Sequence, residues 1–341
     1  MVLPPGYHFI FFPTANKEED ALHDGYEKYF APRGDFVRRL WTQGRLLFNN
    51  GKNVSKREKM EEGKKEEVSK RGKEGEGEGG LMVGEWAECV ERVEDVIVDK
   101  ENKAIDVWTS RTMYSAANEG RMKGTDDDWS VRELRCLRYL RQFPPTPQEP
   151  PPEPETSTSH ETPYSSPGSV SKEYEKATRE AFLIHHFTPS QILLTRYSYL
   201  TFNLHKIHID PEYAQRVEGY PSTLVHGSLS VSLILSVLRG YYSETPSPPG
   251  TSNSTHSTFT TFASTMRQSH FPIKGVKYVM YRPLYVDSPI TLTITRSPNT
   301  TTTTAAAAGG ETHLPTHTRH RAILWDASYK KAVECIIYPF S

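Results

Sequence analysis

The chain has 341 residues, with 41 Lys and Arg against 42 Asp and Glu and a net charge of −1. That balance argues against nucleic-acid or membrane-surface binding, and no apolar run approaches the roughly 20 residues of a membrane span. Hydrophobic residues make up only 36%, prolines number 25 and mean hydropathy is −0.61, but the polar excess is concentrated in a few segments and leaves apolar sequence enough for a core.

From the N-terminus, Met1-Val-Leu-Pro-Pro-Gly6 carries neither a signal-peptide apolar region nor an Arg-rich presequence. Phe36–Phe48 reads as a strand or the entry to one. Residues 51–80 mix Lys, Glu and Gly and read as a disordered insertion. Gly75-x-Gly-x-x-Gly80 within it matches a dinucleotide fingerprint, but no strand precedes it, so no nucleotide cofactor is expected. Trp86–Val98 and Ala104–Tyr114 are β-rich, with Asp99–Lys103 as their turn and Val131–Arg141 as a further strand. Ile105, Val107 and Thr109 alternate with Asp106 and Trp108, as antiparallel pairing requires. Cys89, Cys136 and Cys335 are far apart and read as buried thiols in a reducing compartment.

Residues 144–172, rich in Pro, Glu, Ser and Thr, read as a disordered linker between two folded parts, 1–143 and 173–341. In the second part Phe182–Leu204 reads as extended and Pro211–Val217 as a short helix. Ser228–Leu238 reads as a buried helix, with small serines between its leucines and Gly240 as its stop. Lys274–Arg282, Pro289–Arg296, Arg321–Ala327 and Ala332–Pro339 read as strands, the last two joined by a turn at Asp326–Lys331. The tracts 242–258 and 297–312 read as disordered loop expansions. One helix enclosed by antiparallel strands is an α+β layout.

The segment 196–214, followed by Leu224-Val-His-Gly-Ser-Leu229, concentrates the polar chemistry. Removing water from a 3-hydroxyacyl thioester needs an acid or base that works near neutral pH, a polar group for the hydroxyl, and fixed N–H groups at the thioester oxygen. His208 suits the first task and Asn203 the second. The backbone N–H of Gly227 or Ser228, at a helix start, suits the third. His226 either orients its loop or meets substrate. Arg196 and Arg282 meet either a carrier phosphate or a structural carboxylate. His205-x-x-His208 has a metal-like spacing without supporting ligands, so no metal is expected.

Thr201-Phe-Asn-Leu-His-Lys-Ile-His208 resembles the Ser-Gly-Asp-x-Asn-Pro-Ile-His signature of MaoC-like hydratases, as do Tyr213-Ala214 and Leu224–Leu229. The form Arg196-Tyr-Ser-x-Leu-Thr-Phe-Asn-x-His-x-Ile-His208 is closer to one branch, the fungal mitochondrial type 2 hydroxyacyl-thioester dehydratases and the mesaconyl-C4-CoA and itaconyl-CoA hydratases. Leu3–Gly6, Arg38–Trp41, Gly44–Phe48, Glu133-Leu-Arg135 and Arg282-Pro-Leu-Tyr-Val286 also resemble that branch.

The resemblance implies a double hot-dog fold with the site in the C-terminal repeat and a first repeat lacking its early strand and helix. It implies upstream sequence, a mitochondrial location and an acyl substrate on CoA or an acyl carrier protein. A homodimer is an expectation by analogy. His208 takes the catalytic position, with Asn203 and Gly227. His205, His226, Arg196, Tyr199, Ser228 and Arg282 fall on the substrate side. Asn203 stands where the wider family has Asp. An amide cannot act as a base, so proton transfer rests on His208 or on a further group such as His205. A short branched dicarboxyl-CoA is the alternative substrate, and a non-catalytic thioester binder the alternative class.

Overall fold

The computed structural model describes residues 2–13, 17, 19, 21–26, 28–34, 36, 38–49, 80–115, 129–141, 170–243, 273–297 and 319–339. Strands β1 (Arg38–Phe48), β2 (Ala87–Asp99), β3 (Ala104–Ser115) and β4 (Trp129–Leu140) make the first repeat. The second holds β5 (Ala181–Phe187), β6 (Ile273–Met280), β7 (Ile290–Ser297), β8 (Arg319–Trp325) and β9 (Lys331–Pro339). Its helices are α1 (Lys172–Glu180), α2 (Gln191–Thr201) and α3 (Gly227–Ser243). Among the described residues, these nine strands form one antiparallel sheet in the order β2-β3-β4-β1-β6-β9-β8-β7-β5. The expected double hot-dog is therefore one continuous sheet, in which β1 hydrogen-bonds β4 of its own repeat and β6 of the other.

Helix α3 is the axis of the second repeat. Leu229, Val231, Ile234, Leu235 and Leu238 are buried against Val276, Leu292, Ile294, Leu324 and Ile337 of the sheet. On the first repeat, no α-helix occurs among the described residues. Chain ahead of β1 lies there instead. Leu3 and Phe12 pack with Leu81, Met113 and Val131, and Ala31 and Phe36 pack with Val107, Leu137 and Tyr139. The alternation in β3 continues further than expected, with Val107, Thr109, Arg111 and Met113 all turned inward.

The strands expected from sequence are present with ends shifted by no more than two residues, and Asp99–Lys103 and Asp326–Lys330 form the hairpin turns. Two expectations are corrected. Phe182–Leu204 is not extended throughout, because the strand ends at Phe187 and Gln191–Thr201 is helical. Ser190 caps that helix by accepting from Leu193 N at 3.2 Å, and Leu194, Tyr197 and Ser198 fall on its buried face. Tertiary burial overrides the β propensity of its aromatic residues. Nor does Gly240 end α3, which continues to Ser243. The Tyr242 hydroxyl meets His320 Nε2 of β8 at 2.7 Å and ties down the last turn, while an interior glycine costs a helix only about 1 kcal/mol.

Most of residues 51–80, 144–172, 242–258 and 297–312 lies outside the described residues. Their ends do not: Ser171 caps α1, and Ser297 closes β7.

Where β1 joins the repeats, Gly44 lies opposite Arg135 of β4 and Tyr278 of β6, and the Tyr278 ring crosses over it. Tyr278 is fully buried and accepts from Trp41 Nε1 at 2.9 Å. A Cβ on Gly44 would stand 2.3 Å from both the Leu134 carbonyl oxygen and the Tyr278 hydroxyl. Gly44→Ala is expected to destabilise the fold by about 1–3 kcal/mol or more through overpacking, measured by urea unfolding.

Candidate active site

Helix α2 ends where the site begins. Phe202 adopts a left-handed conformation at φ 54, at the glycine position of the Ser-Gly-Asp signature. That turn sends the chain from the helix into Asn203-Leu-His-Lys-Ile-His208. The Asn203 side-chain oxygen accepts from His205 N at 3.3 Å, leaving its NH2 group as the donor for other partners. Lys206–His208 form a 3-10 turn, and Gln191 at the start of α2 donates to the His208 carbonyl at 3.0 Å.

His208 is buried, and its Nδ1 lies 2.8 Å from the Leu224 carbonyl oxygen. A carbonyl only accepts, so Nδ1 carries the proton and Nε2 keeps its lone pair. Burial, and then the nearby His205, push the His208 ring down to about 3, against the opposing effect of the Leu224 hydrogen bond. It is therefore neutral at ordinary pH. His226 stacks on it, with ring centroids 3.7 Å apart and planes at 20°, and its Nε2 meets the Ser198 hydroxyl at 2.8 Å. Burial holds the His226 ring well below its ordinary range too.

Leu224–Gly227 is clamped on both sides. Leu224 N donates to Ile207 O at 2.9 Å and Val225 N to Leu284 O at 2.8 Å. The Arg282–Val286 motif thus serves as a brace for the loop that carries His226 and Gly227. Helix α3 then starts, and the N–H groups of its first turn have no intrahelical partner. Gly227 and Ser228 both line the cavity shared with His208 and Asn203. A Cβ on Gly227 would stand 3.4 Å from the Trp41 side chain, an ordinary contact, so Trp41 of the first repeat forms the wall over the helix start.

The cavity has a volume of about 260 Å3. His205, His226, Gly227, Ser228 and Arg282 all border it beside His208 and Asn203. Arg196 and Tyr199 do not: both are exposed on the outer face of α2. Beyond Trp41 the wall turns cationic. Arg135 lies over the Trp41 ring at 5.9 Å, with Arg111 further along. Arg39 and Arg282 complete a lining with four guanidinium groups and, among the described residues, no carboxylate. The carboxylates that balance Arg111 and Arg135, Glu91 and Glu133, sit behind them, Glu91 Oε1 being 2.6 Å from Arg135 Nη2 and Glu133 Oε2 3.5 Å from Arg111 Nη1. Among the described residues, no group of three or more His, Cys, Asp and Glu could hold a metal ion.

Sequence reasoning missed the residues that reach this loop from far away. Asp24 is fully buried, its carbonyl accepts from Lys206 N at 2.8 Å, and its carboxylate pairs with Arg39 of β1. Burial raises the Asp24 carboxyl, but the His205 ring and the Arg39 charge outweigh it and hold the group at about 2. Gln191 and Trp41 were missed as well. No local spacing marks Asp24 or Trp41, whose partners lie far off in the chain, and Gln191 meets His208 only once α2 and the turn after it have formed.

A family profile for type 2 hydroxyacyl-thioester dehydratases matches residues 6–79 and 72–249 of this chain. The mitochondrial type 2 hydroxyacyl-thioester dehydratase of Schizosaccharomyces pombe is 27% identical over 248 residues, covering 70% of this chain and 68% of that protein. The mesaconyl-C(4)-CoA hydratase of Chloroflexus aurantiacus is 49% identical over 55 residues, 16% of this chain and 20% of that protein. Among solved structures, a MaoC-like dehydratase from Phytophthora capsici aligns at TM-score 0.46 and 11% identity, over 91% of this chain and 74% of its own.

The approach of the N-terminal loop to the site is tight. Gly25 has φ +79, and a Cβ there would stand 2.4 Å from the Leu204 carbonyl oxygen. Gly25→Ala is expected to cost about 1–3 kcal/mol from backbone strain alone, read as a lowered midpoint in chemical denaturation.

Proposed function

The chain belongs to the type 2 hydroxyacyl-thioester dehydratase family and is a hydro-lyase, and we propose that it interconverts (3R)-3-hydroxyacyl and trans-2-enoyl thioesters at the cavity around His208. The observation that carries this reading is the exposed lone pair of His208 Nε2 in the same cavity as the free N–H groups at the start of α3. In the dehydration direction Nε2 takes the α-proton. The electron pair moves toward the thioester oxygen, where the Gly227 N–H holds the developing charge. The Asn203 NH2 donates to the 3-hydroxyl oxygen and keeps it in line to leave, its departure as water requiring one further proton. Hydration is the reverse.

The S. pombe relative supports a place in mitochondrial fatty-acid synthesis, with the acyl group on a carrier protein or CoA. Arg282, exposed at the rim, suits a carrier phosphate.

One observation favours the alternative substrate. Beyond Trp41 the cavity presents Arg135 and Arg111 alongside the apolar Phe9, Phe12 and Leu137, and the two guanidinium groups suit a short dicarboxyl-CoA of the mesaconyl or itaconyl type. If such a substrate is native, Arg135→Gln should lower kcat/KM for mesaconyl-C4-CoA by about 10- to 100-fold, the worth of a charged hydrogen bond, and leave crotonyl-CoA nearly unaffected. Equal losses on both substrates would remove this alternative.

Turnover of crotonyl-CoA, followed by loss of enoyl absorbance, tests the main reading. Wild-type protein should turn over, and His208→Ala should lose about 10²- to 10⁴-fold in kcat, the usual worth of a positioned acid or base. A His208→Ala protein as active as wild type would exclude His208 from the chemistry. An inactive but folded wild type that still binds acyl-CoA would favour the non-catalytic binder.

A further inference from the structure

Asn203 leaves the proposed reaction one group short. His208 can take the α-proton, but the leaving hydroxyl also needs a proton, and an amide has none to give. The geometry around His205 points to where it comes from.

His205 is buried and borders the cavity three residues before His208, their ring centroids 5.8 Å apart and their planes at 89°. Its Nε2 lies 3.5 Å from Asp24 Oδ2 and 3.6 Å from Glu218 Oε1, without a hydrogen bond of good geometry to either. One carboxylate comes from the N-terminal segment and the other follows the turn at Tyr213–Val217. Both are almost wholly buried. With Nε2 turned to the carboxylates, Nδ1 is the nitrogen left for the cavity.

Buried carboxylates behind a histidine fix its tautomer and stabilise the imidazolium. Other groups face this cluster. Arg39 and Arg38 of β1 hold the outer sides of Asp24 and Glu218, Arg38 Nε lying 3.3 Å from Glu218 Oε2. Tyr26 meets the His205 ring edge-on at 5.5 Å, and Tyr213 lies beside Glu218. His208 and His226 face it from the catalytic side.

We propose that His205 is the second proton-transfer group of this site, held in place by Asp24 of the N-terminal segment and Glu218 of the second repeat. The inference rests on the dehydratase reading above. The two rings work with one proton between them. In dehydration His208 Nε2 takes the α-proton as the α C–H bond breaks. The electron pair forms the C=C bond and expels the 3-hydroxyl, and His205 Nδ1–H protonates it as water. His208 ends protonated and His205 neutral, and a proton exchange through solvent restores the pair. Asp24 and Glu218 are positioning residues that act through His205.

The test uses the full chain and crotonyl-CoA, with pH profiles of kcat. His205→Gln should lower kcat by about 10²- to 10⁴-fold, with KM within about threefold of wild type. Asp24→Asn and Glu218→Gln should each move the alkaline limb of the profile to lower pH, because removing a carboxylate destabilises the imidazolium. If Asp24→Asn does not fold, Glu218→Gln decides. The proposal is overturned if His205→Gln keeps kcat within about threefold of wild type, or if the limb stays put in the folded carboxylate variants. An active wild type with an active His205→Gln variant strikes this proposal alone. A wild type that turns over no enoyl thioester removes the underlying reading as well.

Discussion

The docking of the N-terminal segment onto the catalytic loop is the contact on which the rest of the site depends. The Asp24 carbonyl accepts from Lys206 N, Gly25 sits directly against the Leu204 carbonyl, and the Asp24 carboxylate is neutralised by Arg39 of β1. A buried carboxylate without such a partner would be unstable by several kcal/mol. Asp24 and Arg39 both belong to the first part of the chain, and Asp24 meets the Leu204–Lys206 segment of the second repeat. The first repeat has no α-helix among its described residues and contributes little of the reacting chemistry, yet it supplies the floor on which the catalytic loop is set.

The same dependence explains the shape of the cavity. Trp41, placed by β1 and held by the Tyr278 hydroxyl, forms the wall over the start of α3. The space beyond it lies over β3 and β4, where Arg111 and Arg135 point inward and Glu91 and Glu133 balance them from behind. Guanidinium groups buried in this way keep their charge and need acceptors. An apolar chain end offers them none. The alternative, polar substrate proposed above would place its acyl end against these guanidinium groups.

Inside the site, desolvation sets the working state of the histidines. His208 and His226 are stacked and buried, and both are held neutral. A neutral His208 with Nδ1 tied to a carbonyl is a base with a fixed direction. The Leu224 clamp that ties it also carries Gly227, so the proposed base and the proposed oxyanion donor are positioned by one short segment.

How much of this was legible in the sequence follows the range of the interactions. Strand alternation in β3, the small-residue helix α3 and the grouping of Asn203, His205, His208, His226 and Gly227 are local patterns, because side-chain periodicity and loop motifs act over a few residues. Helix α2 escaped, since its aromatic residues favour strands in isolation and only the Ser190 cap and burial of Leu194 and Tyr197 make it helical. Arg196 and Tyr199 were placed near substrate by motif, but the direction of a helix face is settled by what the helix packs on. The pairing of His205 with Asp24 joins the two repeats, and no local pattern encodes a contact between residues so far apart in the chain, whereas Glu218 reaches His205 only because the turn at Tyr213–Val217 brings it back. The sequence by itself determined the α+β strand-and-helix pattern and the residues capable of the chemistry. Only the tertiary structure decided which carboxylates, guanidinium groups and walls surround them, because burial and charge pairing are properties of the assembled sheet.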